Sequence, residues 1–117
     1  MLQENSHLVY FRKATYPDYE AICQLITNEY EFDLVYPSGT YPLTVEQIQY
    51  LSETRQELIV ATDDVKIVGF ANLYNLKENE SVFIGNVVID KLLRGQGIGK
   101  KLVSYMLDLG FYKYGLK

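Results

Sequence analysis

The chain has 117 residues, 48% of them hydrophobic and 22% charged, with a net charge of −4. Those figures fit one globular domain with its own core and exclude a disordered chain. They also exclude general nucleic-acid binding, and no segment approaches the ~20 apolar residues that a membrane helix needs.

The start, "MLQENSHLVYF", has neither a basic region nor a long apolar run, which predicts no signal peptide. "LVYFRKA" (8–14) then reads as a short strand with alternating pattern. Over "YPDYEAICQLITNEYE" the period changes: Tyr19, Ile22, Cys23, Ile26 and Tyr30 fall at helical spacing, and Pro17 and Asp18 suit a helix start. Cys23 is the only cysteine, so no internal disulfide forms, and its apolar neighbours predict a packed, inert thiol. The expected setting is the cytoplasm. "FDLVYPSGTYPL" (32–43), with two prolines and a glycine, reads as a loop. "TVEQIQYLSET" (44–54) reads as a helix with Thr44 as N-cap and Gln47 at the capping-box position.

Three strand-like runs follow. "ELIVATD" (57–63) and "KIVGFANLYNL" (66–76) are joined by a tight turn at Asp64–Val65. "SVFIGNVVI" (81–89) comes after the polar turn "KENE", and its apolar second half predicts a strand covered on both faces. The last segment, 97–113, puts Ile98, Leu102, Tyr105, Met106 and Leu109 on one helical face, ending near Gly110 or Gly115. The order β-α-α-β-β-β-α predicts an α/β fold: a mixed, mostly antiparallel sheet, with the second and third helices on opposite faces.

Between the last strand and the last helix lies "RGQGIG". Gly95, Gly97 and Gly99 strip side chains from a strand-to-helix turn, so that successive N–H groups can converge where the helix dipole is positive. That is a seat for phosphate or diphosphate. Residues 91–117 carry Lys91, Arg94, Lys100, Lys101, Lys113 and Lys117 against Asp108 alone, which suits a polyanionic ligand or simply a lysine-rich helix end. The P-loop pattern fails, since Arg94 stands at its first glycine and Lys101 at its Ser/Thr; the dinucleotide pattern G-x-G-x-x-G fails on spacing.

Arg94-Gly95-Gln96-Gly97-Ile98-Gly99 resembles the acetyl-CoA signature Q/R-x-x-G-x-G/A of the GCN5-related N-acetyltransferases (GNAT). "NVVID" before it and "KKLVSYMLDLGFYKYG" after it are similar to the rest of that cofactor segment, and the element order resembles the N-terminal two-thirds of the fold. The resemblance implies that Val87, Val88 and Ile89 offer backbone groups to the pantetheine of acetyl-CoA. It implies that N–H groups of Arg94, Gly95, Gln96, Gly97, Ile98, Gly99 and Lys100 hold the diphosphate, and that the Val88 N–H or a neighbour faces the developing oxyanion. No metal is assigned. Where many members carry a glutamate base on this strand, Gly85 stands, followed by Asn86; Glu29, Glu31 and Asp33 are the carboxylates left to act through water. The tyrosine that often protonates the departing thiolate lies in a later strand-helix-hairpin that this sequence lacks, and Tyr112 and Tyr114 read as packing residues.

The resemblance therefore implies an acetyl-CoA-dependent N-acetyltransferase acting on a primary amine of a small molecule or peptide, in a truncated domain. The alternative is a non-catalytic acyl-CoA-binding or interaction module. Phe32, Tyr36 and Tyr41 among Glu29, Glu31 and Asp33 form an expected acidic, aromatic rim for a cationic amine. The unpaired edge of the fourth strand predicts self-association.

Overall fold

The computed structural model describes residues 8–63, 65–77 and 79–115. Four strands, β1 (Tyr10–Lys13), β2 (Gln56–Thr62), β3 (Ile67–Lys77) and β4 (Ser81–Ile89), form one antiparallel sheet in the order β1-β2-β3-β4. The helices are α1 (Tyr19–Cys23), α2 (Glu29–Val35), α3 (Val45–Thr54) and α4 (Ile98–Tyr114).

Alternation along the strands makes two cores. On one face Val60, Phe70 and Val88 pack under α1, α2 and α3, with Ile22, Phe32, Ile48 and Leu51 fully or almost fully buried. On the other, Ile59, Ala61, Ala71 and Leu73 receive Ile98, Leu102 and Met106 of α4. The helices at 44–54 and 97–113 thus lie on opposite faces, as expected. Tyr105 stacks on Phe11, with ring centroids 5.0 Å apart, and fastens α4 over β1. No helix among the described residues is long and apolar enough to cross a membrane.

The expected first helix is broken. A short 3-10 turn (Tyr16–Asp18) leads into α1, which stops at Cys23, and Asn28 starts a new helix by accepting the Glu31 N–H on its side chain at 2.8 Å. An asparagine inside a helical pattern competes for backbone donors, and here it caps. The break lets both Leu25 and Ile26 enter the core, while Tyr30 is left exposed. The segment expected to be loop from residue 32 is helical through Val35. Thr44 caps α3 as expected, accepting the Gln47 N–H. The Gln47 side chain does not return to the Thr44 N–H. It bonds the backbone of Thr40 in both directions, at 2.9 Å each, and the Pro42 carbonyl at 3.0 Å, pinning the preceding loop. In the β2–β3 turn the Asp63 carboxylate accepts the N–H groups of Val65 and Lys66; Asp64 lies outside the described residues. Cys23 packs at the edge of the first core, where burial and then Glu20 push its thiol up to about 11.

Arg12 grips Asp18 through both guanidinium nitrogens, at 2.7 and 2.9 Å, and the Thr15 N–H adds a third bond at 2.8 Å. The Arg12 bonds bring the Asp18 carboxyl down from 3.8 to about 2. Its contribution is therefore complete above pH ~4 and fades as the pH falls through about 2. Denaturant titrations should find Asp18→Asn less stable by on the order of 1 kcal/mol at pH 7, with the difference shrinking as the pH falls below ~4 and vanishing only below about 2. A constant difference across that range would remove the carboxylate as the cause.

Candidate active site

The glycine turn is built by its backbone. Gly95 and Gly97 adopt left-handed φ of +83° and +87°, and a Cβ placed on either meets nothing within 4 Å. Conformation, not crowding, demands glycine there, because other residues pay roughly 1–2 kcal/mol for that region. Gly97 is the N-cap of α4, and its carbonyl accepts the Lys101 N–H at 3.1 Å. The N–H groups of Ile98, Gly99 and Lys100 precede the first intrahelical donor and have no helical acceptor. They stand beside open space at the positive end of a 17-residue helix. Gln96, Lys100 and Lys101 are exposed around them, whereas Ile98 is buried as the plug that seats the turn on the sheet.

Arg94 is turned from the open space. Its Nε donates to the Ile89 carbonyl at 2.9 Å and its Nη1 pairs with Glu31 at 2.7 Å. The Arg94 guanidinium holds Glu31 below the ordinary carboxylate range. Glu31 is thus kept ionised and ties the first turn of α2 to the glycine turn, while Glu29 and Asp33 are exposed on α2.

β4 carries the second part. Asn72 pairs with Gly85 and Phe70 with Val88, so Asn86 and Val87 together oppose Ala71 in a bulge, with Asn86 at a left-handed φ of +51°. The Asn86 amide accepts from Asn72 Nδ2 at 2.7 Å and donates to the Val35 carbonyl at 2.9 Å. It so fixes the bulge to the end of α2. The Asp90 N–H donates to the Val68 carbonyl at 2.8 Å. Antiparallel alternation then turns the Val88 N–H inward to Phe70 and the Ile89 backbone outward to the open edge. Arg94 takes the Ile89 carbonyl, which leaves the Ile89 N–H beside the glycine turn.

Gly85 has a steric reason. A Cβ there would lie 2.7 Å from the Tyr74 ring and 3.3 Å from Arg55 Nη1. The Arg55 guanidinium lies 4.3 Å from the centroid of that ring. The expected acidic, aromatic rim does not form as written. Phe32 is wholly buried, Tyr36 is 5% exposed and Tyr41 packs edge-on against Phe32, so these rings belong to the core under α2. Tyr112 was expected to pack and is 87% exposed. Tyr114 packs on the second core, and its hydroxyl donates to Glu57 at 2.5 Å, as does Lys113 Nζ. Burial works to raise the Glu57 pKa, but these bonds outweigh it and leave the carboxyl below its ordinary range.

The fold agrees with known proteins. The sequence model of the acetyltransferase (GNAT) family matches residues 19–117. The chain belongs to the GNAT family. Members of this family are enzymes that take an acetyl group from acetyl-CoA, the co-substrate expected from the glycine motif. Among solved structures, a GNAT acetyltransferase from Brucella melitensis in complex with acetyl-CoA superposes at a TM-score of 0.63 with 22% identity, covering 87% of this chain and 68% of that one. An aminoglycoside 6'-N-acetyltransferase complexed with coenzyme A gives 0.67 and 17%, covering 92% of this chain and 57% of its own. A protein from Streptococcus mutans gives 0.71 and 22%, covering 90% and 68%. The GNAT chain thus spans little more than half the length of the aminoglycoside enzyme. A search of curated proteins found no match.

Sequence reasoning missed Arg55, Tyr74 and Asn72. The signal for Asn72 was present, a polar residue inside the apolar run "GFANLY". Nothing in the sequence brings Arg55, at the end of α3, to Tyr74 in β3; only the sheet register does.

Proposed function

We propose that this chain transfers the acetyl group of acetyl-CoA to a primary amine of a small molecule or peptide. One observation carries the reading: two left-handed glycines open the first turn of α4 beside the outward-facing backbone of Ile89. The N–H groups from Gly95 to Lys100 hold the diphosphate, and Lys100 and Lys101 supply charge for the remaining phosphate. The outward backbone of β4 beside the bulge, Val87 and Ile89, holds the pantetheine, and an amide there takes the oxyanion role first sought at Val88. The amine nitrogen bonds to the acetyl carbon as the C–S bond breaks, and the proton nitrogen loses is the one the thiol gains. Glu31 positions Arg94 rather than taking that proton, and Glu29 faces solvent, so proton removal falls to water at the cleft. A cytoplasmic setting belongs to the same reading.

The test is calorimetry with coenzyme A, followed by thiol detection across an amine library at fixed acetyl-CoA. Micromolar coenzyme A binding with turnover of at least one amine is expected; no coenzyme A binding sinks the reading. Binding without any turnover would favour the non-catalytic module, for which Gly85 at the glutamate position is the supporting feature. We also infer that a second copy pairs along β4, because Phe83, Leu107 and Phe111 are exposed beside its unpaired edge. Light scattering on the same samples should give the mass of a dimer, and a monomer at high concentration would refute it.

A further inference from the structure

A cavity of about 330 Å3 lies between the end of α2, the end of α3 and the middle of β3 and β4. Arg55 is the single charged side chain among its described lining residues. The other two arginines are paired, Arg12 with Asp18 and Arg94 with Glu31. Arg55 has no carboxylate partner among the described residues; its guanidinium lies on the face of the Tyr74 ring, with Gly85 beside Nη1. A stacked guanidinium keeps its N–H edge free, and that planar fork matches a carboxylate or phosphate. Gly85 makes the stack possible, since any Cβ there would strike the Tyr74 ring. Asn86, which shapes the β4 bulge, lines the same cavity, so the cation and the bulge face one space.

We propose that this cavity is the acceptor pocket and that Arg55 selects an anionic acceptor. The substrate class is a small amine that also carries a carboxylate or a phosphate. Its anionic group sits on the Arg55 fork, and its amine is directed to the bulge at Asn86. This rests on the acetyl-transfer reading and reverses the charge expected of the acceptor. Ser38 and Asn86 line the same cavity, so a bound acceptor finds further polar groups beside the Arg55 fork.

Matched pairs of amines test it: phosphoethanolamine against ethanolamine, and glycine against glycinamide. In each pair the anionic member should show a kcat/KM at least about tenfold higher, the scale of one charge-assisted bond. Whichever pair shows the larger ratio tells phosphate from carboxylate. Arg55→Gln should bring both ratios toward one, chiefly through KM, and Arg55→Lys should restore part of the preference. Equal preferences in parent and Arg55→Gln protein, or preference for the amines without an anionic group, overturn the proposal. Coenzyme A affinity, measured in parallel, separates a failed donor site from a failed acceptor assignment. Should coenzyme A bind and no amine react, NMR still decides. Phosphoethanolamine or glycine should shift the Gly85 and Asn86 amides of the parent and not those of Arg55→Gln, and unmoved amides in the parent refute the pocket.

Discussion

Gly97→Glu should lower the affinity for coenzyme A by a hundredfold or more while the protein remains folded. Two effects add. A non-glycine residue at φ +87° carries roughly 1–2 kcal/mol of strain, which it relieves by turning the peptide and misdirecting the N–H groups of the first helical turn. The new carboxylate then projects into the open space over that turn, where a diphosphate at ~4 Å would meet about 4 kcal/mol of repulsion at an effective dielectric of 20. Gly97→Ala carries the strain without the charge and should lose far less. Calorimetry on the three proteins separates the contributions. Equal affinity in all three would mean that the diphosphate lies elsewhere and that the glycines serve only the turn.

Leu102→Ala should lower global stability by about 2–5 kcal/mol, read as a fall in the urea midpoint. Leu102 is wholly buried, one turn beyond Ile98, and its contacts hold the beginning of α4 on Ile59, Ala71 and Leu73. Truncation removes the transfer energy of the side chain and leaves a void that a sheet cannot close. Tyr112, 87% exposed near the end of the same helix, is the control, and Tyr112→Ala should change stability by less than ~1 kcal/mol. A Leu102→Ala protein as stable as the parent would show that α4 is not fastened through this contact.

Periodicity made most of the scaffold legible. The strand at 81–89 and the helix that begins after Gly97 were bounded to within a residue by turn residues and a strict apolar stripe. The first helix failed because Ile26 and Tyr30 kept the helical spacing across a break that Asn28 imposes, and spacing alone cannot see a cap competing with the ladder. The proposed donor side was legible because its candidate residues lie in one contiguous run of backbone, Arg94 to Lys100. The proposed acceptor side was not, because Arg55, Tyr74, Gly85 and Asn86 come from separate parts of the chain, and only the fold joins them. Charge counting misled in the same way. Arg94 counts as a free cation in the sequence, but in the fold it is spent on Glu31 and on the Ile89 carbonyl.

The seven-residue helix α2 is moored at both ends, at its start by Glu31 to Arg94 and at its end by the Val35 carbonyl to Asn86. Neither anchorage tolerates drift, since one would drag the glycine turn and the other the bulged strand. Change is therefore confined to the exposed Pro37 and Ser38, because Gln47 holds the backbone of Thr40 and Pro42 and Tyr41 packs on Phe32. New acceptor preferences should arise there first, with the helix itself inherited nearly intact.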